Sequence, residues 1–211
     1  MADELPGNVK VTRQDWLDAA MRVLIAEGSE SVKILTLAGE MGVSRSSFYW
    51  YFKDRDDILN ALLTHWLETN TAAIENAAEA FAGTITGSVC SVFKAFIDPK
   101  RFDVRLDFAV RDWARRSQRV RDVLKTSDAR RIGALQAMFQ RHGYEETESL
   151  IRARVLYYMQ IGYNDADLQE TMAERAALNA HYLLTFTGVA APQEEINDMA
   201  AFTLSLEEEG T

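Results

Sequence analysis

Cysteine, proline and long apolar runs are scarce in this sequence, and each shortage excludes a class of protein. Cys90 is the single cysteine, so no intrachain disulfide can form, and we expect the reducing environment of the cytoplasm. The chain has 3 prolines in 211 residues, which favours helices over sheet. No apolar run approaches the roughly 18–20 residues needed to cross a bilayer. Residues 1–8 lack the apolar core of a secretory signal. We therefore predict a soluble globular protein without a membrane partner.

The motifs of the common enzyme classes are also missing. The three histidines, His65, His142 and His181, lie far apart in sequence, and there is neither an H-E-x-x-H pattern nor a cysteine cluster. No glycine-rich phosphate loop and no G-x-S-x-G motif occurs. For Cys90, within a helical stretch, a buried thiol is the favoured interpretation and a redox sensor the alternative. We expect no catalytic residue, no metal and no cofactor.

The charge balance weighs against a nucleic-acid partner, because such a partner is held by Lys and Arg that face phosphates. The net charge is −9, and residues 1–66 carry seven basic against ten acidic side chains, a balance of −3. A protein of this kind can bind DNA only through a few well-placed cations, backbone amides and hydroxyls. Its affinity should then be moderate and sensitive to salt.

Start and stop signals predict a chain made of helices. Thr12 and Asp15 have the spacing of a capping box, Ser44 and Asp54 stand at further N-cap positions, and Gly42 ends the second helix. The predicted helices span about 12–28, 34–41, 44–51, 54 to Phe81, 85–97, 101–116, 118–142, 145–163 and 168–187. Residues 193–208 fit either a short amphipathic helix or a frayed tail. We predict an all-α fold of about nine or ten helices: a three-helix N-terminal unit, then a larger helical bundle entered through the fourth helix.

The second and third predicted helices have the spacing of a helix-turn-helix. A steep helix crossing needs a small residue at the closest approach, a turn residue that tolerates positive φ, and an apolar plug. Ala38, Gly42 and Phe48 supply these in order, at intervals of four and six. An ordinary αα-hairpin is the alternative that spacing alone leaves open.

The residues around this motif resemble the TetR family of transcriptional regulators. The resemblance rests on residues 43–55, VSRSSFYWYFKDR, followed by Asp57-Ile58-Leu59, and it covers about residues 12–66. It implies a DNA-binding domain at 9–66, a ligand-sensing and dimerisation domain at 67–211, and no catalytic activity. Four positions depart from the family pattern: Lys33, Leu35, Ser46 and Trp50. Lys33 stands where Thr often caps the second helix, and Ser46 where Gly or Pro is frequent. Trp50 replaces a more common His or small polar residue, and Leu35 replaces a polar residue that contacts bases in some members.

Within the matched motif, the third helix should enter the major groove with its first turn nearest the bases. Arg45 is the best candidate for bidentate reading of guanine. Tyr49 and Lys53 resemble the phosphate-contacting positions, and Trp50 can pack on a thymine methyl. The predicted DNA-binding residues are Ser44, Arg45, Ser46, Ser47, Tyr49, Trp50, Tyr51, Lys53 and Arg55. A solvated surface position is the alternative for each of them, and core packing is a further alternative for Tyr51.

Two long helices near the C-terminus are candidates for pairing with a second copy. The helix at 168–187 is apolar around most of its circumference, which is typical of a helix buried from both sides. The predicted interface residues are Ile151, Val155, Tyr158, Met159, Ala176, Ala180, Leu183 and Leu184. A core wholly within one chain is the alternative.

The sequence says less about the ligand pocket, since no group of polar residues identifies an inducer. Aromatic and adaptable side chains in the middle of the chain are the candidates for its lining: Trp66, Asn70, Cys90, Phe93, Phe108, Trp113, Tyr157 and Met159. Plain core packing is the alternative for each.

These predictions combine into a regulator that binds a palindromic double-stranded DNA operator as a homodimer and is released by an unknown small-molecule inducer. Repression is favoured over activation. The alternative function is a small-molecule-binding or adaptor bundle that has lost or repurposed DNA binding, in line with its acidic N-terminal part.

Overall fold

A computed structural model describes residues 11–80, 82–166 and 168–209, and over these ranges the regular structure is helical, without a strand. The predicted all-α fold is confirmed. The acidic start at residues 1–8, and Phe81 at the predicted end of the fourth helix, lie outside the described residues. No helix in the described ranges is long and apolar enough to cross a membrane.

The first helix begins and ends where its capping signals predict. Helix α1 spans Arg13–Glu27, and its N-cap Thr12 accepts a hydrogen bond from the Asp15 amide while the Asp15 carboxylate accepts one from the Thr12 amide. This reciprocal pair satisfies two backbone N–H groups that would otherwise lack a partner. The next helices are α2 (Ile34–Glu40), α3 (Arg45–Phe48) and α4 (Arg55–Trp66).

The predicted fourth helix is interrupted. After α4 the backbone widens into a π-helical segment, Leu67–Thr71, and then continues as α5, Ala72–Glu79. The local sequence pattern does not predict this segment, because its polar side chains form hydrogen bonds with residues far away in the sequence. The Asn70 amide donates to the Asp103 backbone carbonyl (2.8 Å), and Thr71 shares a 2.7 Å hydrogen bond with Ser127. Such insertions are often found at functional sites.

The remaining helices build the larger bundle. They are α6 (Ile85–Ile97), α7 (Val104–Arg116), α8 (Gln118–Arg141), α9 (Glu146–Ala166), α10 (Met172–Thr187) and α11 (Gln193–Glu209). Helix α7 begins later than predicted because Asp103 caps it, accepting from the Leu106 amide. The C-terminal stretch is a helix rather than a frayed tail, since Met199 and Thr203 are buried against the bundle.

Two apolar clusters form the interior. The first joins α1 to α4 and also includes Leu106, Val110 and Trp113 of α7, so it extends past residue 66. The second lies among α5, α6, α8, α9 and α10, with Met199 of α11. Burial of large side chains in both clusters is the main source of stability. Because α7 contributes to the first cluster, the N-terminal helices are packed firmly against the bundle.

Candidate functional site

The helix-turn-helix is held by an aromatic centre. Phe48 is fully buried, with its ring centre 5.2 Å from that of Trp16 in an edge-to-face contact and 5.5 Å from that of Phe52. Ala38 is also buried and provides the small residue at the crossing. The plug predicted from the spacing is therefore confirmed, and the chain has a helix-turn-helix geometry at α2 and α3.

The turn between α2 and α3 depends on a left-handed residue. Gly42 has φ +65°, and the Val43 amide donates to the Ala38 carbonyl at 3.0 Å, closing the end of α2. An L-residue is strained at this φ because its Cβ approaches the backbone. The prediction that Gly42 supplies positive φ is confirmed.

We expect Gly42→Ala to lower the free energy of unfolding by about 1 kcal/mol, because alanine must adopt the left-handed conformation. Gly39→Ala is the matched control: Gly39 lies inside α2, and an added Cβ there meets nothing within 4 Å. Alanine should stabilise that position by roughly 0.5–1 kcal/mol. Urea unfolding followed by circular dichroism measures both. Changes of the same sign in the two variants would contradict this account of the turn.

The third helix is shorter than predicted. Helix α3 ends at Phe48, and residues 49–51 continue as turns, with the Trp50 amide bonded to the Ser47 carbonyl three residues back. Ser44 occupies the N-cap position, but its hydroxyl bonds the Ser46 hydroxyl (2.8 Å) instead of a backbone amide. Phe48 and Phe52 are both buried, and the Phe52 amide donates to the Phe48 carbonyl at 3.0 Å.

A polar and aromatic surface surrounds the start of α3. Trp50 is 79% exposed and Tyr49 59% exposed, while Arg45, Ser46 and Lys53 are also exposed. Within the described ranges, neither Arg45 nor Lys53 has an ion pair or a side-chain hydrogen bond. Large exposed aromatic rings beside unpaired cations are typical of a binding surface. We call Arg45, Ser46, Tyr49, Trp50 and Lys53 the recognition surface.

Two of the predicted DNA contacts are engaged within the chain. The Tyr51 hydroxyl donates to the Val11 carbonyl (2.7 Å), and the Arg55 guanidinium donates through Nε to the Val32 carbonyl (2.7 Å) and through Nη2 to the Ser29 carbonyl. These bonds tie the ends of the motif to the segments before and after α1. Sequence motifs did not reveal this role, because the partners are distant along the chain.

Most of the predicted pocket residues lie in the core. Trp66 and Trp113 are buried in the first cluster, and the Asn70 amide is engaged with the backbone at Asp103. Cys90 is buried in the second cluster, where burial and then the charge of Glu195 raise the pKa of its thiol to about 11. Phe108 lines a separate groove between α7, α8 and α9.

A half-open cavity lies elsewhere, between α6, α9, α10 and α11. Its volume is about 140 Å³, and of the eight predicted residues only Phe93 and Met159 line it. Arg175 and Asn179 of α10 also line it, although neither was among the predicted pocket residues. A helix apolar around most of its circumference does not indicate which of its few polar residues turn inward, so no signal in the sequence identified them.

A buried ionic network joins the bundle to the π-helical segment. Asp107 accepts from Arg131 Nη1 (2.9 Å), from Arg111 Nε (2.8 Å) and from the Trp66 indole (2.9 Å). Burial alone would raise the pKa of Asp107, but the two guanidinium groups reverse this and hold it below its ordinary value. Arg131 is fully buried and also donates to Thr71 of the π-helical segment.

The same network reaches α9 through a tyrosine. The Tyr157 hydroxyl donates to Asp128 (2.6 Å) and accepts from Arg111 Nη2 (2.8 Å), and burial is the first cause of its raised pKa. Tyr157 was predicted to line the ligand pocket. Instead, its hydroxyl belongs to a hydrogen-bond network that contains two carboxylates and two guanidinium groups and connects α4, α7, α8 and α9.

An apolar stripe remains exposed on α9 and α10. Val155 is 50% exposed and Tyr158 54% exposed, with Ile151 and Leu184 similarly exposed. Met159 faces the cavity and Ala176 and Ala180 are half-buried. Leu183, in contrast, is fully buried in the chain's own second cluster, so it presents no surface to a partner.

A helix-turn-helix with an exposed recognition surface, carried on a helical bundle with a cavity, defines a class of protein: the helix-turn-helix regulators. The comparisons with known proteins agree. The family model described as "Bacterial regulatory proteins, tetR family" matches residues 17–62. The chain is 33% identical over 97 residues to the uncharacterized HTH-type transcriptional regulator TtgW of Pseudomonas putida, a match covering 43% of this chain and 72% of that protein.

One further relative and one solved structure extend the likeness. The HTH-type nicotine-responsive transcriptional repressor HdnoR of Paenarthrobacter nicotinovorans is 25% identical over 116 residues, covering 54% of this chain and 60% of HdnoR, less than two thirds of its length. The crystal structure of AmtR from Mycobacterium smegmatis superposes with a TM-score of 0.61 at 18% identity, covering 98% of both chains, a likeness of fold alone. The chain belongs to the tetR family of bacterial regulatory proteins. It is a transcriptional regulator of the TetR type, and this family is not enzymatic.

Proposed function

We propose that this regulator represses transcription by binding a palindromic DNA operator as a homodimer, and that a small molecule releases it. The observation that carries the proposal is the recognition surface, where Arg45 and Lys53 stand exposed and unpaired within the described ranges beside Tyr49 and Trp50. In this proposal residues 9–66 form the DNA-binding domain and residues 67–211 the sensing and dimerisation domain.

The recognition surface has the chemistry for both kinds of DNA contact. Arg45, in the first turn of α3, reads guanine O6 and N7, and Trp50 packs on a thymine methyl. Ser46 and Ser47 are small enough to allow close approach, and Tyr49 and Lys53 bind phosphates. Of the other predicted contacts, Ser44 positions Ser46 through the hydrogen bond between their hydroxyl groups. Tyr51 and Arg55 act by orienting α3 through the hydrogen bonds that they already make.

A second copy of the chain is the proposed occupant of the apolar stripe on α9 and α10. Ile151, Val155 and Tyr158 on α9 and Leu184 on α10 expose apolar surface, and soluble proteins seldom leave large apolar surface uncovered. A two-fold dimer would present two recognition surfaces to successive turns of one DNA face, about 34–36 Å apart. Pairing also supplies the symmetry that a palindromic site requires.

Ligand control is supported by the cavity between α6, α9, α10 and α11 and by a relative whose name describes it as nicotine-responsive. The buried network gives a physical route for coupling, because Arg131 holds Thr71 in the π-helical segment that follows α4, and α4 packs against α1. A ligand that favours a different position of α4 would lower operator affinity, and by linkage DNA would lower ligand affinity to the same extent.

The proposal is tested by selecting bound sequences from a random duplex library with the full chain at low salt. We expect an inverted repeat whose half-sites lie about 10 base pairs apart, or a multiple of that, and an affinity that falls steeply with salt. Enrichment of no sequence, together with a salt-insensitive protein complex, would contradict the proposal and favour an adaptor role, for which the negative charge of residues 1–66 is the supporting observation.

We expect Tyr158→Ala to raise the dimer dissociation constant about tenfold, because a large, half-exposed aromatic side chain in an apolar stripe is a typical interface hot spot. Leu204→Ala on α11, also an exposed apolar side chain, is the matched control and should leave the constant unchanged. Sedimentation equilibrium measures both. A monomeric parent chain, or equal effects of the two substitutions, would refute the proposed interface.

A further inference from the structure

The cavity between α6, α9, α10 and α11 contains an uncompensated cation. Arg175 is the one charged side chain among the described residues that line it, and the others include Phe93, Tyr163 and Tyr182. The guanidinium carbon lies 5.5 Å from the centre of the Tyr163 ring. Across the described ranges, Arg175 has no ion pair with Asp or Glu. A positive charge held at an aromatic cavity without a counter-charge favours an anionic occupant.

Two buried donors of the same cavity lack acceptors. Arg175 Nε and Asn179 Nδ2 have no hydrogen-bond partner within the described residues, and Asn179 is only 7% exposed. The neighbouring Gln160 amide, in contrast, does have an acceptor, since it donates to Asn164 at 3.0 Å. Native proteins leave few buried polar groups unpaired, and those that remain often await a ligand or an ion. Both atoms are donors, so they require an acceptor.

The acidic group next to this region is already engaged. Glu170 accepts from the Tyr163 hydroxyl, and burial, followed by this hydrogen bond, raises the pKa of Tyr163 to about 12. The tyrosine therefore remains neutral near pH 7 and keeps Glu170 bonded. Among the described residues, no carboxylate, Glu170 included, lies within ion-pair distance of the Arg175 guanidinium.

We propose that this cavity binds a small aromatic carboxylate, whose oxygens accept hydrogen bonds from Arg175 and Asn179 and whose ring lies among Phe93 and Tyr182. The cavity volume of about 140 Å³ is close to the roughly 150 Å³ of a protein cavity that accepts benzene, so it suits one aromatic ring. Arginine is the side chain best shaped for bidentate carboxylate binding. This inference rests on the ligand control in the proposed function and specifies its chemistry.

Isothermal titration of the full chain with benzoate, and with benzamide as the neutral analogue of the same shape, tests the inference. Benzoate should bind one per chain, and benzamide at least about tenfold more weakly. Arg175→Met and Asn179→Leu should each weaken benzoate binding about tenfold or more, while Arg175→Met leaves benzamide unchanged. Arg119→Met, which removes an exposed arginine of α8, is the matched control and should change neither affinity.

Equal binding of benzoate to the parent chain and to Arg175→Met would overturn the inference, as would equal binding of benzoate and benzamide. Circular dichroism confirms folding of each variant, and Arg175→Gln, which removes the charge but stays polar, replaces the methionine variant if that one unfolds. DNA release is measured separately by fluorescence anisotropy on the selected sequence. Arg175-dependent benzoate binding without DNA release would support the inference and count against benzoate as the inducer. DNA release by another compound, without benzoate binding, would overturn the inference alone.

Discussion

Asp107→Asn should lower the free energy of unfolding by about 3–5 kcal/mol at pH 7, because it leaves the fully buried Arg131 without a carboxylate partner. The amide keeps the size of the side chain and still offers one oxygen to the Trp66 indole and Arg131, so the loss is that of the charge and of the acceptor for Arg111 Nε. Arg111 retains its pairing with Asp128. Urea unfolding followed by circular dichroism measures the change.

Asp112→Asn is the matched control for this experiment. Asp112 lies on the same helix and pairs with Arg116 at 3.5 Å, but both side chains are largely exposed. Exposed pairs of this kind contribute about 0–1 kcal/mol, so the control should change little. A loss below about 1 kcal/mol for Asp107→Asn, or equal losses for the two variants, would show that the network is not a structural centre.

The same network predicts a pH dependence. The pKa of Asp107 lies below its ordinary value in the folded chain, so the unfolded chain binds the proton more readily. The stabilisation is fully present above the ordinary aspartate pKa of about 4, and it is lost as the pH falls through the lowered value. The difference between the parent chain and Asp107→Asn should therefore be constant from neutral pH down to about pH 5 and shrink only in stronger acid.

Arg45→Ala should weaken binding to the selected operator about ten- to hundredfold and relax base preference at one position of each half-site. The reason is that Arg45 is exposed on the first turn of α3, has no partner in the described chain, and so gives its hydrogen bonds to DNA without breaking others. Electrophoretic mobility shift with single-base operator variants measures both effects.

Two comparisons make this prediction specific. Arg105→Ala removes an exposed arginine of α7 and should leave affinity unchanged, which excludes a general charge effect. Lys53→Ala should weaken all sequences alike and reduce the salt slope by about one, as expected of a phosphate contact. An Arg45→Ala variant with unchanged affinity and selectivity would remove Arg45 from the recognition surface.

The sequence predicted those parts of the motif that depend on neighbouring residues. The Thr12–Asp15 capping box, the positive φ of Gly42 and the burial of Phe48 follow from local backbone requirements. The hydrogen-bonding roles of Tyr51 and Arg55, in contrast, do not depend on neighbouring residues. Their hydroxyl and guanidinium groups bond carbonyls 40 and 23–26 residues away, and spacing within the motif carries no information about those partners.

By itself, then, the sequence determined the helical class, the helix-turn-helix and its family, since capping, periodicity and turn chemistry act over a few residues. The tertiary structure alone decided which aromatic side chains are core and which line the cavity, why the helix after α4 widens, and that Arg175 and Asn179 turn inward. The physical reason is that these features arise where helices distant in sequence meet, and the free energy of burying or pairing a polar group depends on what the other helix presents there.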